Sequence, residues 1–451
     1  MKRFVPAVLA FFGAACIAAA IAIPLYLVPQ LKVVPLDLDI TSDATTVAAD
    51  GSTGERFPAV IFDRCSVSEN RARTLDASLK QQRRSIITEP SDSRQASLQS
   101  AQTVLIERLR DAEGVETEPT VAGAGDTRTC EDGLLTATID RVSVNRKTSA
   151  PNGAVSSLQL EAVPEGGNVN DVSVALDNRT GYQYKFGFDV QKRDYPYYDL
   201  NTRQDCAAKF EGEETIDGVK TYHFVCDVPE TDLSNLPNAQ GEAALGTMLT
   251  MPARWWGITG RGVRANDPIT MHRYAAATRH VWVEPTTGTI VDGREDQHQY
   301  FKSPDQSDAT PAPVRDFRMD ALKGTFKWTD ATVKNQTEKA SGYVDQLKVG
   351  GVWVPIILGV VGAILLIIAA LLFFRGRRND TRPDDAPPVV TPPADERDTT
   401  LIKRDPPPAA GATPAGANPW ERPTEQIPRV DGGDPPADDS ATRTFRKPPP
   451  E

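Results

Sequence analysis

Residues 352–374 read VWVPIILGVVGAILLIIAALLFF, with Arg375, Arg377 and Arg378 directly behind them. A helix of that length rises about 34 Å, enough to cross a hydrocarbon core of roughly 30 Å. A second stretch, FVPAVLAFFGAACIAAAIAIPLYLV at 4–28, follows Lys2 and Arg3 and meets no charge before Lys32. Basic residues on the outer flank of each place residues 1–3 and 375–451 in the cytoplasm by the positive-inside rule. Residues 32–350 are then an extracytoplasmic domain held at both ends in the cell (inner) membrane. A signal peptide is the alternative for the first stretch, and Ala14-Ala15-Cys16 hints at a lipoprotein cleavage site. Its apolar run exceeds the usual signal core of about 7–15 residues, which favours an uncleaved helix.

Composition suits that placement. The formal net charge is −11 and Lys and Arg cluster only beside the two apolar stretches, so no nucleic-acid partner is expected. Cys16 lies in the first helix, while Cys65, Cys130, Cys206 and Cys226 all fall between the helices. Four cysteines in an oxidising compartment allow two disulfides in three connectivities. We favour Cys206–Cys226 and Cys65–Cys130. Strands at 207–214 and 219–228 joined near Asp217-Gly218 form a hairpin that brings 206 and 226 almost opposite each other. A metal site through His223 and Cys226 is disfavoured, because on a strand those two side chains point to opposite faces.

The interior segment reads as mainly β, an α+β fold built on a large antiparallel sheet. Residues 135–144 alternate in part. Tyr182, Tyr184, Phe186 and Phe188 alternate strictly, so a strand there would carry four aromatics on one face. Residues 280–284 and 288–291 flank Pro285-Thr286-Thr287, a hairpin loop. Phe326 and Trp328 alternate before a polar helix over 329–347. A helix is also expected over 93–112, where Leu98, Val104, Leu105 and Leu109 share a face. Residues 375–451 hold 17 of the 36 prolines and too few large apolar residues to offset ordering entropy, so the tail is read as disordered. Within it Asp398-Thr399-Thr400-Leu401-Ile402 matches the sites that bacterial Ser/Thr kinases modify and forkhead-associated-domain proteins read. A solvated acidic linker is the plainer reading.

Chemistry is sparse. No metalloprotease, nucleophile-elbow, P-loop or dinucleotide motif is present. The four histidines have no neighbours at ligand or acid–base spacing. No enzyme, catalytic residue, cofactor or metal is therefore expected. Gly257–Gly262 reads as a flexible loop. The ligand-binding candidates are Tyr182, Tyr184, Phe186 and Phe188, with Trp255 and Trp256 beside Met248, Leu249 and Met251. For each group buried core is the plainer reading.

Several short motifs occur in a telling order: Arg179-Thr180-Gly181, Tyr195-Pro196-Tyr197-Tyr198-Asp199, Phe210-Glu211-Gly212-Glu213, Ile216-Asp217-Gly218-Val219-Lys220-Thr221-Tyr222, Arg273-Tyr274 and Trp282 to Ile290. On these the chain resembles the actinobacterial PorA-like porin family of envelope proteins, from Met1 to about Arg378. The two-helix layout is also similar to that of the class B scavenger receptors, in topology alone. The family resemblance implies a pore and brings no catalytic residues with it. The residues themselves favour a non-enzymatic, two-pass envelope protein that binds, and passes on, a lipid or other hydrophobic envelope molecule. The alternatives are a channel, and a sensor or scaffold signalling through Thr399 and Thr400.

Overall fold

The computed structural model describes residues 4–379 except 124–125, 161–162, 164–165 and 238–245. The proline-rich tail, with Thr399 and Thr400, lies outside the described residues. Helix α1 (Phe4–Ala22) continues through a widened turn at Ile23–Leu27 to Leu31. Helix α2 (Asp330–Lys348) runs through a second widened turn, Val349–Trp353, into α3 (Val354–Asn379). Phe4–Leu31 and Asp330–Arg375 are both long and apolar enough to cross a membrane. The second is 46 residues, about 69 Å of helix, so more than half of it stands clear of a roughly 30 Å core.

The two spans pack through glycine. A Cβ on Gly13 would sit 2.8 Å from Leu366 Cγ and 3.0 Å from the Gly362 carbonyl, and one on Gly362 would sit 2.8 Å from the Gly13 carbonyl. Small residues let apolar helices approach closely enough to gain dispersion contacts that lipid does not supply.

Fifteen strands form one antiparallel sheet among the described residues. They are β1 (Asp39–Val47), β2 (Ala59–Phe62), β3 (Thr74–Thr88), β4 (Gln95–Arg110), β5 (Glu116–Thr117), β6 (Leu134–Asn145), β7 (Pro151–Gln159), β8 (Ser173–Ala175), β9 (Tyr195–Asp199), β10 (Gln204–Ile216), β11 (Val219–Asp232), β12 (Met248–Pro252), β13 (Pro268–Val283), β14 (Ile290–Lys302) and β15 (Met319–Trp328). The spatial order is β8-β7-β6-β4-β3-β1-β15-β14-β13-β11-β10-β9. The expected hairpin at Asp217-Gly218 is present, with φ of 46° and 80° in its two-residue turn, the left-handed pair that matches strand twist. Both disulfides form as expected, Cys206–Cys226 with Cα atoms 6.0 Å apart and Cys65–Cys130 at 5.0 Å.

Two expectations fail. Residues 95–110 are strand β4 rather than helix; its buried positions include Ala96, Leu98, Ser100, Val104 and Ile106, a period of two. Two of those inward residues are small or polar, Leu105 lies on the other face, and a bulge beside Glu107 returns Leu109 to the inner face, which hid the alternation. Residues 182–188 form no strand. They belong to an irregular crossover with a single parallel bridge, Tyr182 to Tyr197.

That crossover closes a roll. β8 and β9 are opposite ends of the sheet order, yet Leu158, Val174, Leu176 and Tyr198 share one apolar cluster. Arg179 spans the seam: its guanidinium makes a bidentate pair with Asp140 on β6 at 2.8 and 2.9 Å and stacks on the Tyr198 ring at 4.4 Å. The neighbouring amides of Thr180 and Gly181 donate to Asp205 at 3.0 and 2.8 Å. A side chain at Gly181 would meet the Tyr198 amide at 2.5 Å, so glycine is required there. The β13–β14 turn clamps the crossover from the other side, through Phe186 N–H to the Gly288 carbonyl (2.8 Å) and Val190 N–H to the Pro285 carbonyl (2.7 Å).

Candidate functional site

Rolling the sheet turns one face inward, and part of that face is polar. Buried Gln81, Ser85, Ser100, Asp140, Asp199, Arg273, Glu295 and Gln297 come from strands far apart in the order. Such groups are costly to bury unless partnered. Arg279 on β13 is held between two carboxylates, Asp199 at 2.6 Å and Glu295 at 2.7 Å. Burial opposes its charge and the two acids more than offset it, so its pKa is raised. Burial pushes the Glu295 carboxyl up, with Arg279 pulling the other way.

At one end the roll is hollow. A cavity of about 220 Å³ lies between the sheet, the segment that follows α1 and the side of α2. Its walls come from β1 (Ile40, Ala44), β3 (Gln81, Arg83), β13 (Arg279, Val281), β14 (Glu295), β15 (Phe326, Trp328) and α2 (Gln336, Lys339, Tyr343). Leu38 and Tyr343 stand where the chain leaves one membrane helix and enters the other, so the hollow end adjoins the membrane spans. Four polar atoms on this wall are buried without a hydrogen-bond partner: Gln81 Nε2, Gln336 Nε2, Glu295 Oε1 and Arg294 Nε. Lys185, also on the wall, gives its ammonium to the Phe186 carbonyl (3.1 Å) and the Thr287 carbonyl. Burial drives it down to about 7, against the pull of Glu284. Further along the roll a void of about 50 Å³ is lined by Gln102, Asn201, Arg273, Gln297 and Gln299. Between the two, Arg83 Nε donates to Gln102 Oε1 at 3.0 Å.

The other end is solid. Trp255 and Trp256 are each 2% exposed and pack with Phe62, Met271 and Phe301. Their indole N–H groups donate to the carbonyls of Ser66 (3.0 Å) and Ile269 (3.2 Å).

The six aromatics singled out from the sequence therefore scatter. Tyr182 and Phe186 stack at 5.2 Å within the core around Tyr195 and Phe224. Tyr184 lies on the cavity wall, its hydroxyl donating to Asp140 at 2.6 Å. Phe188 lies beneath the Lys185 ammonium, 4.0 Å from the ring centre. The cavity's own residues, Gln81, Arg83 and Gln336, were missed; they sit in polar runs that read as solvated faces. Among the described residues no group of three or more His, Cys, Asp and Glu side chains is placed to hold a metal. Cys226 is in a disulfide, and His223 stacks on Trp282 at 4.3 Å and bonds His280 at 3.1 Å.

Known proteins resemble this chain over most of its length. Residues 5–371 match the family described as "Porin PorA". A "Porin PorA" of Corynebacterium amycolatum is 30% identical over 402 residues, 81% of this chain and 97% of the relative. A second, of Corynebacterium resistens, is 28% identical over 417 residues, 81% of this chain and 95% of the relative. With its two apolar spans and its match over almost the whole helix-to-helix segment, the chain belongs to the Porin PorA family.

Proposed function

We propose a transport role in the cell envelope, the class of function that the family's name carries, with the lumen of the rolled sheet as a conduit that is entered at its hollow end and closed at the other by the Trp255 and Trp256 knot. Its cargo is a hydrophobic or amphipathic envelope molecule that enters from the membrane side. The basic flanks of the two spans support, by the positive-inside rule, a sheet outside the inner membrane with both termini in the cytoplasm. The observation that carries the reading is the position of the cavity, inside the sheet where both membrane helices join it. Ligand sites are concave, partly apolar and furnished with a few convergent polar groups. This one has a Phe326, Trp328 and Val281 wall facing Gln81, Arg83 and Gln336.

The names of the two relatives favour a second reading, an aqueous channel. The α1 and α3 spans are apolar and carry no polar stripe for water or ions. The sheet's other face carries Lys80, Gln82 and Arg84 instead of the apolar band of a membrane barrel. A channel would thus require several copies with assembled spans. Planar-bilayer recording of the purified full chain separates the readings. The lumen conduit predicts no conductance steps; reproducible unitary steps would establish the channel and overturn the conduit.

A further inference from the structure

Resting on the conduit reading above, we propose that the membrane-side cavity is a binding site for an anionic amphiphile, with a carboxylate or phosphate head against Arg83, Gln81 and Gln336. Its chain runs along Ile40, Val281 and Trp328. Charge complementarity argues for this. Of the five basic residues on the cavity wall, Arg279 and Arg294 are paired with carboxylates and Lys185 is held by backbone carbonyls, which leaves Arg83 and Lys339 to face three acids (Asp37, Asp39 and Glu295). The acids are largely committed: Asp39 pairs with Arg84 at 2.8 Å, and Glu295 with Arg279.

Arg83 differs from its neighbour. Arg279 is neutralised by two carboxylates, whereas Arg83 forms no ion pair among the described residues. It rests on Gln102 and lies 5.9 Å from the Tyr184 ring centre. A partly buried guanidinium with only neutral partners favours an incoming anion, because a charge-assisted hydrogen bond is about twice as strong as a neutral one.

The unpartnered donors Gln81 Nε2 and Gln336 Nε2 need acceptor oxygens, and a carboxylate or phosphate offers two or more. The unpartnered acceptor on the same wall, Glu295 Oε1, belongs to a carboxyl already covered by Arg279. It therefore repels an anion less than a bare carboxylate would.

The test uses the full chain in nanodiscs of a zwitterionic lipid, with tryptophan quenching by ω-bromodecanoic acid and by ω-bromodecanol. Trp328 on the cavity wall is the reporter, and Trp328→Phe supplies the background. The acid should act at about tenfold lower concentration than the alcohol, as one charge-assisted contact implies. Decyl phosphate should compete and inorganic phosphate should not. Arg83→Gln should bring acid and alcohol to nearly equal affinity while leaving the alcohol unchanged. Should that variant fail to fold, Gln336→Leu on α2 should shift the ratio the same way by a smaller factor. Equal affinities in the unsubstituted chain would overturn the anionic head site and leave the conduit reading intact. No Trp328-dependent quenching by either compound would overturn both. Competition by inorganic phosphate as strong as by decyl phosphate would make this a plain anion site, and the amphiphile would fall.

Discussion

The two ends of strand β13 are built differently. Near Ile269 and Met271 it enters a solid knot, with Phe62, Trp255, Trp256 and Phe301 in edge-on and tilted contacts. About ten residues on, at Arg279 and Val281, it faces a cavity of about 220 Å³ whose wall carries unpartnered polar atoms. One end is optimised for stability in the way of ordinary cores. The other keeps space and polarity that cost stability, as binding sites do. Since the hollow end is the one joined to both membrane helices, the asymmetry has a direction.

The largest test of the contrast is in the knot and the seam. Trp255→Ala should cost about 3–5 kcal/mol of unfolding free energy by denaturant titration. Asp140→Ala should cost a similar amount, because it strands the buried Arg179 guanidinium inside the roll. A loss below about 1 kcal/mol in either would mean that these contacts do not hold the roll closed.

Gly362→Leu tests the membrane pair that supports the hollow end. It should separate α1 from α3 at a cost of about 1–3 kcal/mol, read as weakened crosslinking between cysteines placed on the two spans.

A smaller effect depends on pH. Burial raises the Asp292 carboxyl to about 6, with a hydrogen bond from the Gly293 amide opposing. Its folded pKa lies above the unfolded value of 3.8. The stability it contributes is fully present below that value and is lost as pH rises through 6. Asp292→Asn should therefore leave stability near pH 3.5 almost unchanged and add about 1–2 kcal/mol at pH 7.5. An equal gain at both pH values would contradict the burial of this carboxyl.

The smallest change belongs to the cavity wall. Gln81→Leu removes a buried donor that lacks a partner and should be neutral or stabilising by up to about 1 kcal/mol. The same kind of substitution in a satisfied network would destabilise. A clear loss of melting temperature would show that the Gln81 amide contributes to folding rather than to the site.

What the sequence revealed follows the same division. The spans, the Asp217-Gly218 turn with its Cys206–Cys226 disulfide and the polar helix after Trp328 were legible because each rests on local length, turn chemistry or composition, and Cys65–Cys130 followed as the remaining pair. Strand β4 was misread because its lumen face includes Ser100 and Gln102. A polar lumen removes the alternation that marks a half-buried strand, while leucines elsewhere on β4 fell at helical spacing. At 182–188 the error ran the other way: strict aromatic alternation suggested a strand, and the chain instead disperses those rings to the core, the cavity and a lysine. Arg179-Thr180-Gly181 was quotable as a motif, yet its work depends on Asp140 and Asp205, at separations of 39 and 25 residues. Long-range partners of that kind leave no local trace.

The central claim is that the hollow end takes up an amphiphile beside the membrane. Ala44 lies buried on the cavity wall, and Ala44→Phe would fill it. Native mass spectrometry of the detergent-extracted full chain should find a co-purified amphiphile on the unsubstituted protein and none on Ala44→Phe. A bare mass for both, or equal loading of both, would contradict the account.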